Sequence, residues 1–330
     1  MLYDEKYMRR ALQLAQSSPF DTHPNPMVGA VIVCDDKIIG EGFHRRCGEP
    51  HAEVNAIASV SDQSLLSRST IYVTLEPCSH YGKTPPCAQL IIDKAIPRVV
   101  IGAVDPFEKV AGRGIAMLQQ AGIEVVSGVL DDECRKLNQH FFKAHTRRRP
   151  FITIKWAQSA DGFLDCKRSH NQPAYRFSNS ATTMLTHCQR AAHDAILTTA
   201  ATYLADTPSL IVRHWDGPNP RRFIFDRSYR LSNSPTEETS SINDSQIEGF
   251  TIISGDLTIE QLFTKLYDMN VTSVLVEAGP RFLQAIIDSG IYDAVRIESS
   301  PTSLGSLGTH PAPTLPKPFT PSHTPPLYTN

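Results

Sequence analysis

The chain has 330 residues, 41% of them hydrophobic, and a formal net charge of −2. It is long enough for two domains and too nearly neutral for the broad basic field that nucleic acid attracts. Its seven cysteines are odd in number and scattered, which argues against a disulfide framework and for a reducing cytoplasm.

The first residues carry charges and no apolar leader core, and no run reaches the length of a membrane span. Helical spacing of Met8, Ala11, Leu12 and Ala15 predicts a helix over 7–16. His23-Pro24-Asn25-Pro26 is expected to be extended, because a residue before proline avoids the helical region. The β-branched run 27–33 predicts a buried strand, with 37–42 as its hairpin partner. A helix is expected from 51 to 58, a strand over 69–75 and a helix over 87–94. A strand over 99–104, a helix over 114–121 closed by Gly122 and a strand over 123–126 follow. One helix is expected over 131–144, capped by Asp131 or Asp132.

Arg147-Arg148-Arg149-Pro150 reads as a solvated linker, 147–150, between domains at 1–146 and 151–310. The second domain is expected to hold strands over 151–156, 195–199, 222–225, 251–254 and 271–277, with helices over 180–192, 259–269 and 281–289. Alternation of strands and helices makes both halves α/β. Residues 311–330 form a proline-rich tail, expected to be extended or disordered because proline cannot donate in a ladder.

The chemistry centres on His51, Glu53, Cys78 and Cys87. Neutral imidazole and thiolate are good zinc ligands, and three of them leave the fourth tetrahedral position open for water. His-x-Glu followed by Pro-Cys is the pattern of zinc-dependent nucleobase deaminases, in which the glutamate moves protons and is not a ligand. Zinc would lower the pKa of a bound water to about 7, and Glu53 would carry that water's proton to the ring nitrogen and the leaving amine. Eight residues separate Cys78 from Cys87 where that pattern has two. A closed structural site would need a fourth ligand, for which His80 is the candidate. The second half has no dinucleotide fingerprint: Gly112-Arg113-Gly114 lies in the first half and Met117 stands where the third glycine belongs. Its suggestive feature is a strand ending in Glu277-Ala278-Gly279 before a helix start, where backbone N–H groups suit a phosphate.

The segments 25–33, 51–54, 74–87, 105–106 and 110–114, with 155–162, 200–210 and 276–280, resemble the bifunctional deaminase/reductase family of riboflavin biosynthesis. The resemblance implies an N-terminal cytidine-deaminase-like αβα sandwich and a C-terminal dihydrofolate-reductase-like α/β domain, with one Zn²⁺ per chain and NADPH. The implied substrate is a phosphorylated pyrimidine, 2,5-diamino-6-(5-phosphoribosylamino)pyrimidin-4(3H)-one. It would lose its 2-amino group, and its ribosyl chain would then be reduced to ribityl. By the same resemblance Asn25, His80 and Lys83 contact the deaminase substrate, and Arg190, Leu210, Arg213 and Glu277 the reductase substrate. The two arginines suit its phosphate. Ala157, Thr202, Asp206 and the run Gly279, Pro280, Arg281, Phe282, Leu283, Gln284 and Ala285 would contact NADPH, with Asp206 the polar group nearest the reacting carbon. A homo-oligomer through the reductase half is implied too; a nucleic-acid or membrane partner is not. The segment Ala174-Tyr175-Arg176-Phe177-Ser178 lacks the serine and tryptophan that some members use. With the tail, this leaves an alternative: a deaminase carrying a non-catalytic binding or dimerising domain.

Overall fold

The structure, a computed structural model, describes residues 2–80, 85–107, 111–169, 172–231, 247 and 249–316. The first half runs α1 (Leu2–Ala15), β1 (Gly29–Cys34), β2 (Lys37–Phe43), α2 (Ala52–Ser59), β3 (Thr70–Leu75), α3 (Cys87–Asp93), β4 (Arg98–Ala103), α4 (Arg113–Gln120), β5 (Glu124–Ser127), α5 (Asp131–Leu137) and α6 (Gln139–Arg147). The sheet order is β2-β1-β3-β4-β5, with β2, β1 and β3 antiparallel and β3, β4 and β5 parallel. Both faces of the central strands are covered, which is why they read as unbroken apolar runs. Ile32, Ile71, Val73 and Ile101 face Ala52, Ala56, Ala88, Ile91 and Leu118 on one side. Val31, Val33, Tyr72 and Val100 face Tyr7, Met8, Ala11 and Phe142 on the other. This is the expected αβα sandwich. Gly42 lets α2 lie directly on β2, since a Cβ there would stand 2.2 Å from the Ala56 nitrogen.

The helix expected over 131–144 is two helices, interrupted at Asn138. The Asn138 side chain accepts from Met27 N and donates to Met27 O, each at 2.8 Å. It acts as a substitute strand partner for the segment leading out of Asn25. Nor do Asp131 and Asp132 cap α5: left-handed Leu130 occupies the cap and the acids sit in the first turn, where the helix dipole still favours them.

The second half runs β6 (Phe151–Gln158), β7 (Phe163–Cys166), α7 (Ser180–Ala191), β8 (Ala195–Thr199), α8 (Ala200–Asp206), β9 (Arg221–Asp226), β10 (Phe250–Ser254), α9 (Ile259–Asp268), β11 (Ser273–Val276), α10 (Pro280–Ser289), β12 (Ala294–Ser299) and β13 (Gly308–Pro311). Six strands, in the order β10-β9-β8-β11-β6-β12, are all parallel, and β13 pairs antiparallel with β7. The boundary expected at 310/311 falls inside β13. Proline is tolerated there because the two-stranded ribbon is all edge. The chain stays on the domain beyond it: Ala312 N donates to Gly162 O at 2.8 Å, and Ala312 and Leu315 pack on the core. The rest of the expected tail, 317–330, lies outside the described residues.

The connector is not simply solvated. Arg149 forks onto Asp293, which Lys143 also reaches at 3.2 Å and to which Ile152 N donates at 2.9 Å. The Asp293 side chain is 2% exposed. Replacing Asp293 with Ala should therefore destabilise the chain by about 2–4 kcal/mol in urea unfolding, toward the low side of the range for breaking a buried pair because the cations keep some water.

Three histidines also meet between the halves. His193 Nδ1 faces Gln189 O at 2.7 Å and Nε2 faces Thr153 Oγ1 at 2.8 Å, while the His140 ring lies 5.3 Å away. Burial pushes His193 down to about 4, with His23 and Arg296 adding to the effect, and burial holds His140 well below the ordinary value. A histidine whose pKa is depressed by folding leaves the folded chain with fewer protons than the unfolded one. The urea midpoint should fall as pH drops from about 6.5 toward about 4, and His193→Gln should flatten that fall.

Candidate active sites

The carboxyl end of β3 runs into Glu76-Pro77-Cys78, and α2 and α3 begin beside it. His51 caps α2 in extended backbone without bonding its own helix, which leaves the ring available. Its Nδ1 lies 3.7 Å from Cys78 Sγ and 3.4 Å from Cys87 Sγ. Zinc–sulfur bonds of about 2.3 Å and zinc–nitrogen bonds of roughly 2.0–2.1 Å, set tetrahedrally, give donor separations of about 3.6 Å. The donors therefore fit zinc in chemistry and in spacing. Among the described residues these three alone gather as a metal-binding group, and exposed His80 is not a fourth ligand. Bonds from Cys87 and His51 hold the Cys78 pKa down to about 4, and the Cys87 backbone N–H donates to its sulfur at 3.3 Å. The same contact with Cys78 lifts His51 to about 9.

Glu53, in the first turn of α2, is 3% exposed, and burial raises its pKa. It is thus a carboxyl group suited to hold and release a proton beside the three donors. Asn25 Nδ2 lies 3.3 Å from His44 Nε2, and His44 Nδ1 lies 3.2 Å from Pro50 O. Burial lowers the His44 pKa, so a neutral ring donates to Pro50 and accepts from Asn25. Its edge meets the His51 ring at 5.5 Å. No sequence pattern marks His44. Lys83 lies outside the described residues.

Glu76 is a functional residue that spacing alone passes over. Its buried carboxylate accepts from the backbone N–H groups of Asp105 (3.3 Å), Gly112 (3.0 Å), Gly114 (2.9 Å) and Ile115 (3.2 Å). Gly114 is required, because a Cβ would stand 2.1 Å from Pro77 O. The available signal was an acid at the end of an apolar strand, directly before Pro77-Cys78.

In the second half, the adjacent parallel strands β8 and β11 end in α8 and in Ala278-Gly279-α10. Ligands of open α/β sheets sit outside such strand ends. Thr202 Oγ1 accepts from Gly279 N at 3.1 Å and lies 3.1 Å from Thr199 Oγ1, lacing the two loops together. Helix α10 starts with Pro280 and has no side-chain cap, which suits an anionic cofactor phosphate. Ala157 lies half-buried on β6, opposite Glu298 of β12.

Glu277 takes the Arg190 guanidinium in two bonds, at 2.9 and 2.8 Å, and Arg190 also donates to Ile211 O at 3.1 Å. Most of its fork is therefore engaged within the protein. Leu210 is a core residue, 4% exposed, with φ of 51°. Arg213 is exposed and bonds Ser209 Oγ. Asp206 pairs with Arg168 at 2.8 Å. The run from Gly279 to Ala285 cannot face one ligand throughout, because most of it is helix. Leu283 lies wholly in the core, Phe282 packs on Phe225, and Gln284 is bonded to Thr314. Gly279, Pro280 and exposed Arg281 remain at the helix start.

A zinc deaminase sandwich joined to a second α/β domain with a cofactor cleft is the class that fold and sites define. The family model described as the cytidine and deoxycytidylate deaminase zinc-binding region matches residues 1–103, and that of the RibD C-terminal domain matches residues 150–318. The riboflavin biosynthesis protein RibD of Escherichia coli is 37% identical over 334 residues, covering 92% of this chain and 89% of that one. The RibD of Aquifex aeolicus is 35% identical over 318 residues, covering 92% and 88%. Among solved structures, Acinetobacter baumannii RibD aligns with a TM-score of 0.80 at 33% identity, covering 96% of this chain and 91% of its own. A Thermotoga maritima deaminase/reductase aligns with 0.77 at 34%, covering 97% and 93%.

The chain belongs to the RibD family, the bifunctional deaminase–reductases of riboflavin biosynthesis. Its first domain is a zinc-binding deaminase and its second an NADPH-using reductase. The alternative of a non-catalytic second half is set aside, because the relatives match across both halves. Among the described residues no helix is long and apolar enough to cross a membrane.

Outer residues that orient metal ligands contribute roughly 10–100-fold to metal affinity. Glu76→Gln turns an acceptor of four N–H groups into a partial donor, and should weaken zinc binding by about that factor in a competition titration with a chromophoric chelator.

Proposed function

We propose that this chain hydrolyses the 2-amino group of 2,5-diamino-6-(5-phosphoribosylamino)pyrimidin-4(3H)-one and then reduces the ribosyl group to give 5-amino-6-(5-phosphoribitylamino)uracil. The observation that carries the first step is the open triangle of His51, Cys78 and Cys87 beside buried Glu53. Support for the substrate comes from the Thermotoga protein, described as a diaminohydroxyphosphoribosylaminopyrimidine deaminase and 5-amino-6-(5-phosphoribosylamino)uracil reductase.

Zinc held by His51, Cys78 and Cys87 supplies Lewis acidity that makes water nucleophilic at neutral pH. Glu53 accepts one proton from that water and gives it to the ring nitrogen; it then takes the second, from the hydroxyl added at the ring carbon, and gives it to the leaving amine, so that the carbonyl forms and ammonia departs. Asn25, held by His44, hydrogen-bonds the substrate. His80, exposed on the segment between the two cysteines, and Lys83 meet its phosphate.

For the second step NADPH supplies the reducing equivalent. Gly279, Pro280 and Arg281 at the start of α10, with Thr202 of α8 and Ala157 of β6, would hold the cofactor. Arg213 carries most of the hold on the substrate phosphate. Arg190, fixed by Glu277, adds its remaining N–H groups. Asp206, paired with Arg168, serves the cofactor side. The domains divide near 146 and 151. A homo-oligomer joined through the reductase half belongs to the same reading, with half-covered edge strand β12 and its exposed Ile297 available for it. Seven unbridged cysteines support a cytoplasmic protein, and the near-neutral net charge of −2 supports one without a nucleic-acid partner.

The purified chain given substrate alone should release ammonia, and NADPH added afterwards should be oxidised. Ammonia release without NADPH oxidation would sink the second half of the reading. Glu53→Gln should cut ammonia release by about 10²–10⁴-fold while zinc stays at one per chain by atomic absorption. A silent Glu53→Gln would leave zinc with a purely structural role.

A further inference from the structure

The loop after α8 carries Arg213, and its backbone is tied down at three successive residues. Ile211 O accepts from Arg190 at 3.1 Å. Val212 N donates to Asn219 Oδ1 at 2.7 Å. Arg213 N donates to His187 Nδ1 at 2.9 Å. His187 stands on α7 one turn before Arg190, so one helix grips the loop at two points. The His187 ring is 3% exposed, and His214 closes over it edge-on at 4.8 Å.

We propose that His187 is a positioning residue of the reductase: as a neutral acceptor at Nδ1 it sets the Arg213 backbone, and so aims the Arg213 guanidinium at the substrate phosphate. The inference rests on the reductase reading given above. The bond to Arg213 requires a lone pair on Nδ1, which places the proton on Nε2. A protonated ring would have no acceptor there. Burial, followed by the positive neighbours Arg190, His214 and Arg213, pushes the His187 pKa down to about 4, with Glu277 the one opposing group. The ring therefore keeps its acceptor at neutral pH. A buried histidine with one acceptor bond to a single backbone N–H has little other use here: it reaches no cofactor loop, and its neighbour Arg190 is already held by Glu277.

Two polar variants separate positioning from packing. In His187→Asn the amide oxygen takes the place of Nδ1. In His187→Gln it takes the place of Nε2, and the Arg213 N–H loses its acceptor. His187→Gln should raise the reductase KM for the deaminated phosphoribosyl intermediate by about 10–100-fold, the loss expected for a misplaced charge-assisted bond. The KM for NADPH and the rate of ammonia release should stay at wild-type values, and His187→Asn should restore the substrate KM to near wild type. Equal KM values for the two variants, raised or unchanged, would overturn the inference. Arg213→Ala serves as the reference. If it raises the KM and His187→Gln does not, only the role of His187 falls. If the wild-type chain oxidises no NADPH with the intermediate, the reductase reading falls with it.

Discussion

In each half a glutamate stands at the carboxyl end of a buried central strand, and the site is built around it. Glu76 follows Leu75 of β3, and Glu277 follows Val276 of β11. At that position the ladder ends and backbone groups of the next loops must find partners. A carboxylate there is costly unless fully bonded. Glu76 meets that requirement with four backbone N–H groups from the 105–115 region, and Glu277 with the two-pronged Arg190. The consequence differs in each case. Glu76 draws distant loops onto the Pro77-Cys78 turn and fixes one zinc donor. Glu277 fixes an arginine, which in turn holds the loop carrying Arg213.

This difference explains what the sequence made legible. The zinc donors and Glu53 bear rare chemistry at short, fixed spacings, and their helices and strands follow from apolar periodicity. The pairing of Arg190 with Glu277 spans 87 residues and leaves no local trace. Both residues could be assigned to a substrate, but not to each other. The same holds for Asn138, whose break in a periodic helix is decided by Met27, 111 residues away. Along α10 the resemblance covered a continuous run, and only the helical turn separates Gly279 and Arg281 from buried Leu283. Strands β12 and β13 escaped because half-covered edge strands lack the unbroken apolar run of the central ones.

The two sites are also tied to each other. The loop that carries Asn25 begins at Phe20, whose ring meets Trp215 edge-on at 6.5 Å, two residues beyond Arg213. A Cβ on Gly217 would reach within 3.7 Å of the same phenylalanine and 2.8 Å of Ala191. Thus the loop that carries Asn25 rests on the loop that carries Arg213. Its other end is clamped by Asn138, which caps α6, the helix that leads into the second half.

The fusion of the halves is therefore part of how the first site keeps its shape. Removing the second half would uncover Phe20 and expose further the half-buried His23, which lies by His140 and Asp194. The zinc donors would be little affected, since β3, α2, α3 and Glu76 all lie within the first sheet and its helices. The loop with Asn25 would lose the support at Phe20 and keep those from His44 and Asn138. The metal donors and the Asn25 loop thus draw on different parts of the chain: the first on local geometry at one strand end, the second also on contact between domains.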